Sequence, residues 1–526
     1  METHTIFLLK DNIQNAEHAL DADKHAMPYP LAEGFPLSGT LYVGAQNSST
    51  PPWVAMINPH LEAPVGEAHT ASISAVLIVS FNDHLFALTF GHGKSLLNPT
   101  SWVRDFGLLA TLNRVNPTKL RSVDSKIYDD LVVTTRKQTS KSSKMDSFEL
   151  DVGRALVRGV TGDAENNPCF SRLTGADGLR LTTELNIADL ADLLEEVLNA
   201  YQDTAYQEAF GWIDNIREID PARNVELDEQ LTASLVDAEA TSAYLAPSDI
   251  VDWDMILGFN YTGGAKRITY SELNLRDYLR ILQGKGTVLS PEVLKRHKVR
   301  LKYEGHDDFQ DAWAIYDCLV WETVLNERTY VLFDGRWFEI EPSYAERVSA
   351  HVNSLISDAI QFPNSPFGQS EGDYNTAVEI AFPDTYALLD CQNFLPTGAA
   401  TRIEFCDLLS TTRQLIHVKK RSGSATLSHL FSQGSVSADL FLQDQALRTA
   451  IREKLIELEK PIHANLIPEE RPQSGDYEVV YAVIAAAGQH GWPPPLPFFS
   501  SVNLMHHSGR IRNLGFQVSL QYIRQD

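Results

Sequence analysis

A chain of 526 residues is too long for one compact core, so two or three domains are expected. Its hydrophobic content of 43% and charged content of 21% are those of a globular protein and exclude wholesale disorder. With 69 acidic against 44 basic side chains the net charge is −25, which excludes a general polyanion binder; contact with nucleic acid must rest on a local basic patch or a metal ion.

The first residues, M-E-T-H-T-I-F-L-L-K, lack a basic start and carry only Ile6–Leu9 as an apolar run, so no secretory signal is expected. The runs Ala75–Phe81 and Val479–Ala487 are too short to span a bilayer, which points to a cytoplasmic protein without a membrane partner. Cys169, Cys318, Cys391 and Cys406 show no C-x-x-C spacing and read as reduced thiols rather than disulfides or zinc ligands.

Thr5–Lys10 reads as a strand, followed by a Pro/Gly/Ser-rich loop ending at Pro51-Pro52. Ala71–Phe81 and Asp83–Phe90 form two strand-like runs joined near Asn82. Gly91-His92-Gly93-Lys94-Ser95 suggests a phosphate loop, but that spacing needs glycine where Leu88 stands; a tight turn with Lys94 and Ser95 starting a helix is expected instead. Thr134–Met145 is basic and Ser/Thr-rich and reads as an exposed loop. Asn186–Tyr201 carries Leu and Val at helical spacing, predicting an amphipathic helix; helices continue to about Ile216 and another covers Leu227–Tyr244.

Leu294–Tyr303 gathers Lys295, Lys298, Arg300 and Lys302 in an otherwise acidic chain. Alternation from Lys298 suits a strand with one basic face, either a solvated edge that resists aggregation or a nucleic-acid contact. Tyr330–Glu341 predicts a hairpin turning at Asp334-Gly335. A helix over Tyr344–Ile360 leads to the Pro/Gly/Ser-rich linker Phe362–Ser370. With a further boundary at Asp220-Pro221, the chain divides into an N-terminal mixed α/β domain (1–220), a middle α/β region with the basic strand and hairpin (221–361) and a C-terminal domain (362–526). Gln489–Ser501, rich in Pro and aromatic residues, reads as an ordered covering loop.

The chemistry concentrates in the C-terminal region. Arg402–Leu409 and Gln414–Lys419 flank Ser410–Arg413 as an antiparallel hairpin. A turn centred near Thr412 sets Asp407 across from His417, and alternation puts His417 and Lys419 on one face. Burying a carboxylate, an imidazole and an ammonium together costs several kcal/mol per unpaired charge, which a metal ion with a phosphate ligand would offset. Around the hairpin, Glu371–Asn375 opens a helix, Tyr386–Phe394 reads as a strand, Thr426–Leu442 as a helix after a turn at Ser422–Ser424, and Tyr477–Ala487 as a buried strand.

That order (helix, three strands, helix, strand) resembles the core of the PD-(D/E)XK nuclease superfamily within a mixed α+β, multi-domain chain. The resemblance implies that Asp407 is the strand-two acid, His417-Val418-Lys419 the third-strand motif, Gln433 the helical glutamine and Glu371 the acid of the first helix. It further implies a divalent metal, Mg²⁺ or Mn²⁺, on Asp407, His417 and Glu371, with Glu404 in reserve, and DNA or RNA as substrate. His417 stands where the superfamily has Asp or Glu, and imidazole suits Mn²⁺ or Zn²⁺ better than hard Mg²⁺. Asp390 and the literal Pro383-Asp384 pair are alternative acids, ranked lower because they do not lie opposite His417. Lys420 and Arg421, beside the motif, join Lys295, Lys298, Arg300 and Lys302 as candidate phosphate contacts.

Over nearly its whole length the chain is similar to a family of uncharacterised bacterial proteins described as sporadically distributed. The likeness is carried by residues 86–97, 104–113 and 119–126, by Phe333–Phe338, Ile416–Lys419 and Leu427–Phe431. Patchy distribution of this kind goes with mobile elements and antiphage defence. Two functions are therefore in view: a metal-dependent nuclease, or a non-catalytic nucleic-acid sensor or assembly protein with protein partners or a homo-oligomeric state.

Overall fold

The computed structural model describes residues 2–45, 47–49, 52–63, 65–66, 70–128, 132–148, 150, 155–164, 171–183, 186–219, 224–236, 243–248, 256–265, 267–303, 308–397, 402–421, 424–486 and 492–526. The chain forms two compact units, Met1–Lys126 with Thr134–Ile213, and Ile127–Val133 with Asp214–Asp526. The regions 221–361 and 362–526 fall within the second unit; Asp220 and Pro221 lie outside the described residues. The architecture is mixed α/β, and no helix of the described residues is long and apolar enough to cross a membrane.

The first unit is built on a ten-stranded sheet. Strand Glu2–Leu8 pairs antiparallel with His84–Gly91 on one side and Leu179–Thr183 on the other. Ser74–Phe81 and His84–Gly91 form the expected strand pair, with Asn82 and Asp83 at φ 47° and 63° in the turn. The helix Leu190–Gln202 buries Leu190, Leu193, Leu194, Val197 and Leu198, the stripe read from the sequence. Gly91 takes φ +57°, and a Cβ on Gly93 would lie 1.9 Å from the Ala75 carbonyl, so these glycines serve a tight turn into the 3-10 helix Gly93–Leu96. One expectation is corrected: within Thr134–Met145, residues up to Ser143 belong to the edge strand Val132–Ser143. A neighbouring strand at Val115–Tyr128 supplies the hydrogen-bond partners that the polar composition did not announce.

In the second unit, Lys298–Tyr303 is the basic strand, with Val299 and Leu301 buried and the other residues half-buried. It is the middle of three strands, between Ile256–Tyr261 and Gln310–Ala314, not an edge. The hairpin Arg328–Phe333 with Arg336–Ile340 turns at Asp334 and Gly335, both at positive φ (49° and 68°), as a two-residue hairpin turn requires. Beside it sits a buried carboxylate: Asp228 accepts hydrogen bonds from Tyr316 Oη (2.5 Å), Lys295 Nζ (2.8 Å) and Trp337 Nε1 (2.9 Å). The helix expected to reach Ile360 ends at Asn353.

The C-terminal part is organised as helix α1 (Glu371–Ala381), strands β1 (Tyr386–Leu388), β2 (Leu408–Ser410) and β3 (Gln414–Lys420), helix α2 (Ser424–Gln443), strand β4 (Glu478–Ala485), helix α3 (Phe498–Asn513) and strand β5 (Gln517–Arg524). The sheet runs β1-β2-β3-β4-β5 in space, antiparallel up to β3 and parallel from β3 onward. One face carries Ile416, Val418, Val480, Ala482 and Ile484 against Tyr374 and Val378 of α1. The other carries Leu415, Val479, Tyr481 and Val483 among Leu427, Phe431 and Phe441 of α2 and Leu504 and Ile511 of α3. Two runs expected as continuous strands are broken: Tyr386–Phe394 and Arg402–Leu409 each divide, and Asn393–Phe394 pairs with Ile403–Glu404 in a separate ribbon. In the first of these runs the chain turns at Cys391, whose φ is 59°. The Phe362–Ser370 segment lies along β5: Ser365 is fully buried and its N–H donates to the Arg524 carbonyl (2.8 Å).

Replacing Asp228 by Ala leaves a phenol, an indole N–H and an ammonium without their shared acceptor. In equilibrium denaturation of the full chain, Asp228→Ala is expected to cost about 3 kcal/mol, whereas Lys295→Met, which removes only the half-exposed partner, costs about 1 kcal/mol.

Candidate functional site

The β2–β3 register pairs Leu408 with Ile416 and Leu409 with Leu415, and the ladder ends there: Asp407 lies just before β2, and its N–H donates to the Ile416 carbonyl at 2.9 Å. Asp407 is 7% exposed, and its Oδ2 accepts the Val418 N–H at 2.6 Å. Burial pushes its carboxyl up to about 7; Asp390 and Glu404 add to this, while the Val418 N–H and Lys419 oppose it. The carboxyl is thus poised between protonated and ionised near neutrality.

His417 goes inward. It is 0% exposed, its ring lies 6.2 Å from that of Tyr481, and Nε2 is 3.4 Å from Ser437 Oγ on α2. Nδ1 has no hydrogen-bond partner among the described residues. Desolvation pushes its pKa down to about 3, so the ring is neutral.

Lys419 Nζ lies 2.7 Å from Glu371 Oε2, and the other oxygen of Glu371 accepts the Lys420 N–H at 2.9 Å. Glu371 occupies the first turn of α1, capped by Ser370, where the helix end favours a negative charge. The clamp joins the start of α1 to the end of β3 and leaves the pair partly open to solvent, at 28% and 29% of side-chain exposure.

A second group forms where the chain leaves and re-enters the sheet. The N–H groups of Leu389 and Asp390 donate to the Asp407 carbonyl at 2.8 and 3.1 Å. The Cys391 thiol donates to Asp390 Oδ1 (3.3 Å), and Asn375 Nδ2 of α1 donates to Asp390 Oδ2 (3.0 Å). Glu404 accepts the Cys391 N–H (3.1 Å) and the Gln433 side-chain amide of α2 (2.8 Å). One ligand atom each from Asp390, Cys391 and Glu404 lie within 4.8 Å of one another, the one such His/Cys/Asp/Glu group among the described residues. The hydrogen bond and charge of Asp390 hold the Cys391 thiol above its usual range, with Glu404 and Asp407 contributing.

Of the residues expected to act together, Glu371 and Lys419 are in contact, Gln433 reaches Glu404, and Asp407 feels Asp390, Glu404 and Lys419 electrostatically. Asp407, His417 and Glu371 do not form a ligand group of their own. Asp390, ranked behind the hairpin acids, is central here, and Cys391 and Asn375 were missed as site residues. An acid–thiol pair ending a strand-like run was the available signal. Among the basic candidates, Lys295 is committed to Asp228, Arg300 Nε lies 2.7 Å from Asp311, Lys302 Nζ sits 5.7 Å from the Phe309 ring centre and Arg421 donates to the Pro495 carbonyl at 3.0 Å. Lys298 and Lys420 are half-buried on their strands.

Fold and site thus define a two-unit α/β protein with an acid–thiol–lysine cluster at the ends of a mixed sheet. The chain belongs to the family of unknown function DUF6119, whose model matches residues 4–524. No curated protein and no solved structure matches it.

The burial of His417 has a pH signature. Its folded pKa, near 3, is below the unfolded value of 6.5, so its contribution is fully present above pH 6.5 and is lost as pH falls toward 3. Between pH 7 and pH 4 the wild type is expected to lose about 3 kcal/mol more stability than His417→Gln, read from denaturant midpoints of the two proteins at each pH.

Proposed function

We propose that the chain is a metal-dependent nuclease that hydrolyses phosphodiester bonds of DNA or RNA at the ends of β2, β3 and α1. The observation that carries this reading is the meeting of Lys419 with Glu371 beside the desolvated Asp407, itself under the field of Asp390 and Glu404. The helix–three-strand–helix–strand order, with β3 and β4 parallel, supports the PD-(D/E)XK-like reading of this half.

The residues suit a divalent cation because the charges of Asp390 and Glu404 oppose ionisation of Asp407, while Lys419 favours it. Asp390 and Glu404, with ligand atoms within 4.8 Å of each other and Asp407 under their field, would hold Mg²⁺ or Mn²⁺; when bound, such an ion lowers the pKa of a water and neutralises charge on the scissile phosphate. Lys419, released from Glu371 by an incoming phosphate, would stabilise the developing negative charge. Gln433 would hold Glu404 in orientation through its 2.8 Å hydrogen bond. His417, sealed against Tyr481 and Ser437, would position the strand rather than ligate. Nucleic acid would be held by few contacts, since the chain carries −25 overall and several of its clustered cations are already paired.

A second reading, a non-catalytic nucleic-acid sensor or assembly protein of a defence system, is favoured by the same Lys419–Glu371 pair, which neutralises the lysine in the resting fold. Incubation with plasmid, single-stranded DNA and RNA under Mg²⁺ or Mn²⁺ separates the two. Cleavage by the wild type should fall at least 100-fold, roughly, in Asp407→Asn and in Lys419→Ala, with unchanged circular dichroism. If the wild type cuts none of the substrates with either ion, or both variants cut as the wild type does, the nuclease reading fails.

A further inference from the structure

We infer that the carboxyl ends of β3 and β5 form a track for single-stranded nucleic acid, with Trp492 and Phe367 stacking unpaired bases and Arg421 and Arg524 holding phosphates. This names the form of substrate for the nuclease reading, on which it rests for the fate of the strand but not for its binding.

In open sheets of parallel strands, ligands collect outside the carboxyl ends. Here β3 and β5 flank the end of β4: the Arg421 N–H donates to the Ile484 carbonyl and the Gln525 N–H to the Ala485 carbonyl, both at 2.8 Å. Lys420 and Arg421 follow directly on Lys419, so the track begins at the Lys419–Glu371 pair. Lys420, Arg421 and Arg524 have no carboxylate partner among the described residues, whereas Lys295, Arg300 and Lys419 are each paired with one. Arg421 makes a single side-chain hydrogen bond there, to the Pro495 carbonyl at 3.0 Å, and both arginines are exposed. Acids of the neighbourhood are engaged elsewhere. Glu322 accepts the N–H groups of Phe498 (2.8 Å) and Phe499 (3.3 Å), and the two carboxylate oxygens of Asp526 accept Asn364 Nδ2 at 2.9 and 3.1 Å. Uncommitted guanidinium groups in a chain of net charge −25 suit a phosphate backbone at this one edge.

Aromatic rings interleave with these cations. The Arg524 guanidinium lies 5.8 Å from the centre of the Trp492 ring, and the Tyr522 ring meets Trp492 edge-on at 6.0 Å. Trp492 still keeps 41% of its surface exposed. A guanidinium that stacks on indole retains its in-plane N–H groups for a phosphate. Phe367, 87% exposed, lies two residues beyond Ser365, whose N–H is bonded to the Arg524 carbonyl at 2.8 Å, and so stands at the same end of the sheet. Beside them opens a cleft of about 1000 Å³, lined by Arg421, Tyr522 and Pro493–Pro497 and, from the helix Pro342–Asn353, by Val348 and Val352. Glu346 also lines it, which directs phosphates to the Arg421 side. The rings decide the form of nucleic acid. In a duplex the base faces are covered by their neighbours, whereas the bases of a single strand can be laid on aromatic side chains whatever their sequence.

The test is fluorescence anisotropy of labelled oligo(dT), oligo(U) and a mixed-sequence duplex with the full chain in EDTA, where nothing is cut. A single strand should bind at least tenfold, roughly, more tightly than the duplex, and the dT and U arms show which sugar is preferred. With three unpaired cations, the logarithm of affinity should fall with that of salt at a slope of about −2, and Arg421→Ala and Arg524→Ala should each reduce that slope by roughly 0.7. Trp492→Leu and Phe367→Ala should weaken binding about tenfold with the slope unchanged, because they remove a stacking face and no charge. Denaturant midpoints confirm that each variant folds, and the Phe367 side chain is too exposed to bear on folding. No single-strand binding by the wild type, a duplex bound as tightly, or unchanged affinity in both Trp492→Leu and Phe367→Ala overturns the track. If the single strand binds as stated but Mg²⁺ or Mn²⁺ brings no cleavage, the nuclease reading fails and the track stands. If nucleic acid is cut while all four variants bind and cut as the wild type does, the reverse holds.

Discussion

The C-terminal sheet and its charged cluster depend on the two-point grip of Glu371. One oxygen takes the Lys419 ammonium and the other the Lys420 backbone N–H, so a single side chain fixes both the side-chain direction and the backbone position at the end of β3. Exposed ion pairs are worth little, but this one is partly buried and carries a backbone donor as well, which limits how the lysine can swing. With the start of α1 anchored there, Asn375 one turn on reaches Asp390, and the acid cluster acquires a wall. The interaction is therefore architectural and chemical at once: it stores a cation beside carboxylates that would otherwise repel one another.

Much of this was legible in the sequence because it rests on local rules. The polar connector at Ser410–Arg413 set the register that pairs Leu408 with Ile416, and the periodicity of Asn186–Tyr201 marked its buried stripe. The fate of His417 was not legible. Alternation assigns a face but says nothing of depth, and the Tyr481 ring that covers it comes from a strand paired only after α2 and its successors have folded back. The same limit explains the basic strand. Lys298, Arg300 and Lys302 alternate as expected, but whether the strand is an edge depends on two neighbours whose pairing no local pattern encodes. The acid–thiol turn was missed because it needs Cys391 at positive φ, a conformation the sequence does not advertise for cysteine.

The Pro/Gly/Ser-rich stretch 362–370 shows how composition can signal an irregular segment without implying a free one. Ser365 is buried because β5 offers it backbone partners, and Tyr374 of α1 donates its hydroxyl to the Pro363 carbonyl at 2.7 Å. Burial of the Tyr374 ring secures the stretch from the other side. Irregular backbone is tolerated there because its polar groups are satisfied, which is the condition for burying it at all.

The parallel pairing of β3 with β4 sets Leu415 beside Val479 and His417 beside Tyr481, strands separated in sequence by α2 and, among the described residues, two further α-helices. Such a pairing pays its loop-closure entropy before any contact rewards it. During synthesis the apolar edge of β3, Leu415 to Val418, therefore waits with its ladder half-made while the helices that follow it emerge. That interval is when a second chain's strand could be captured in place of β4, so the kinetics of chain elongation, rather than the stability of the finished sheet, govern how faithfully this half assembles.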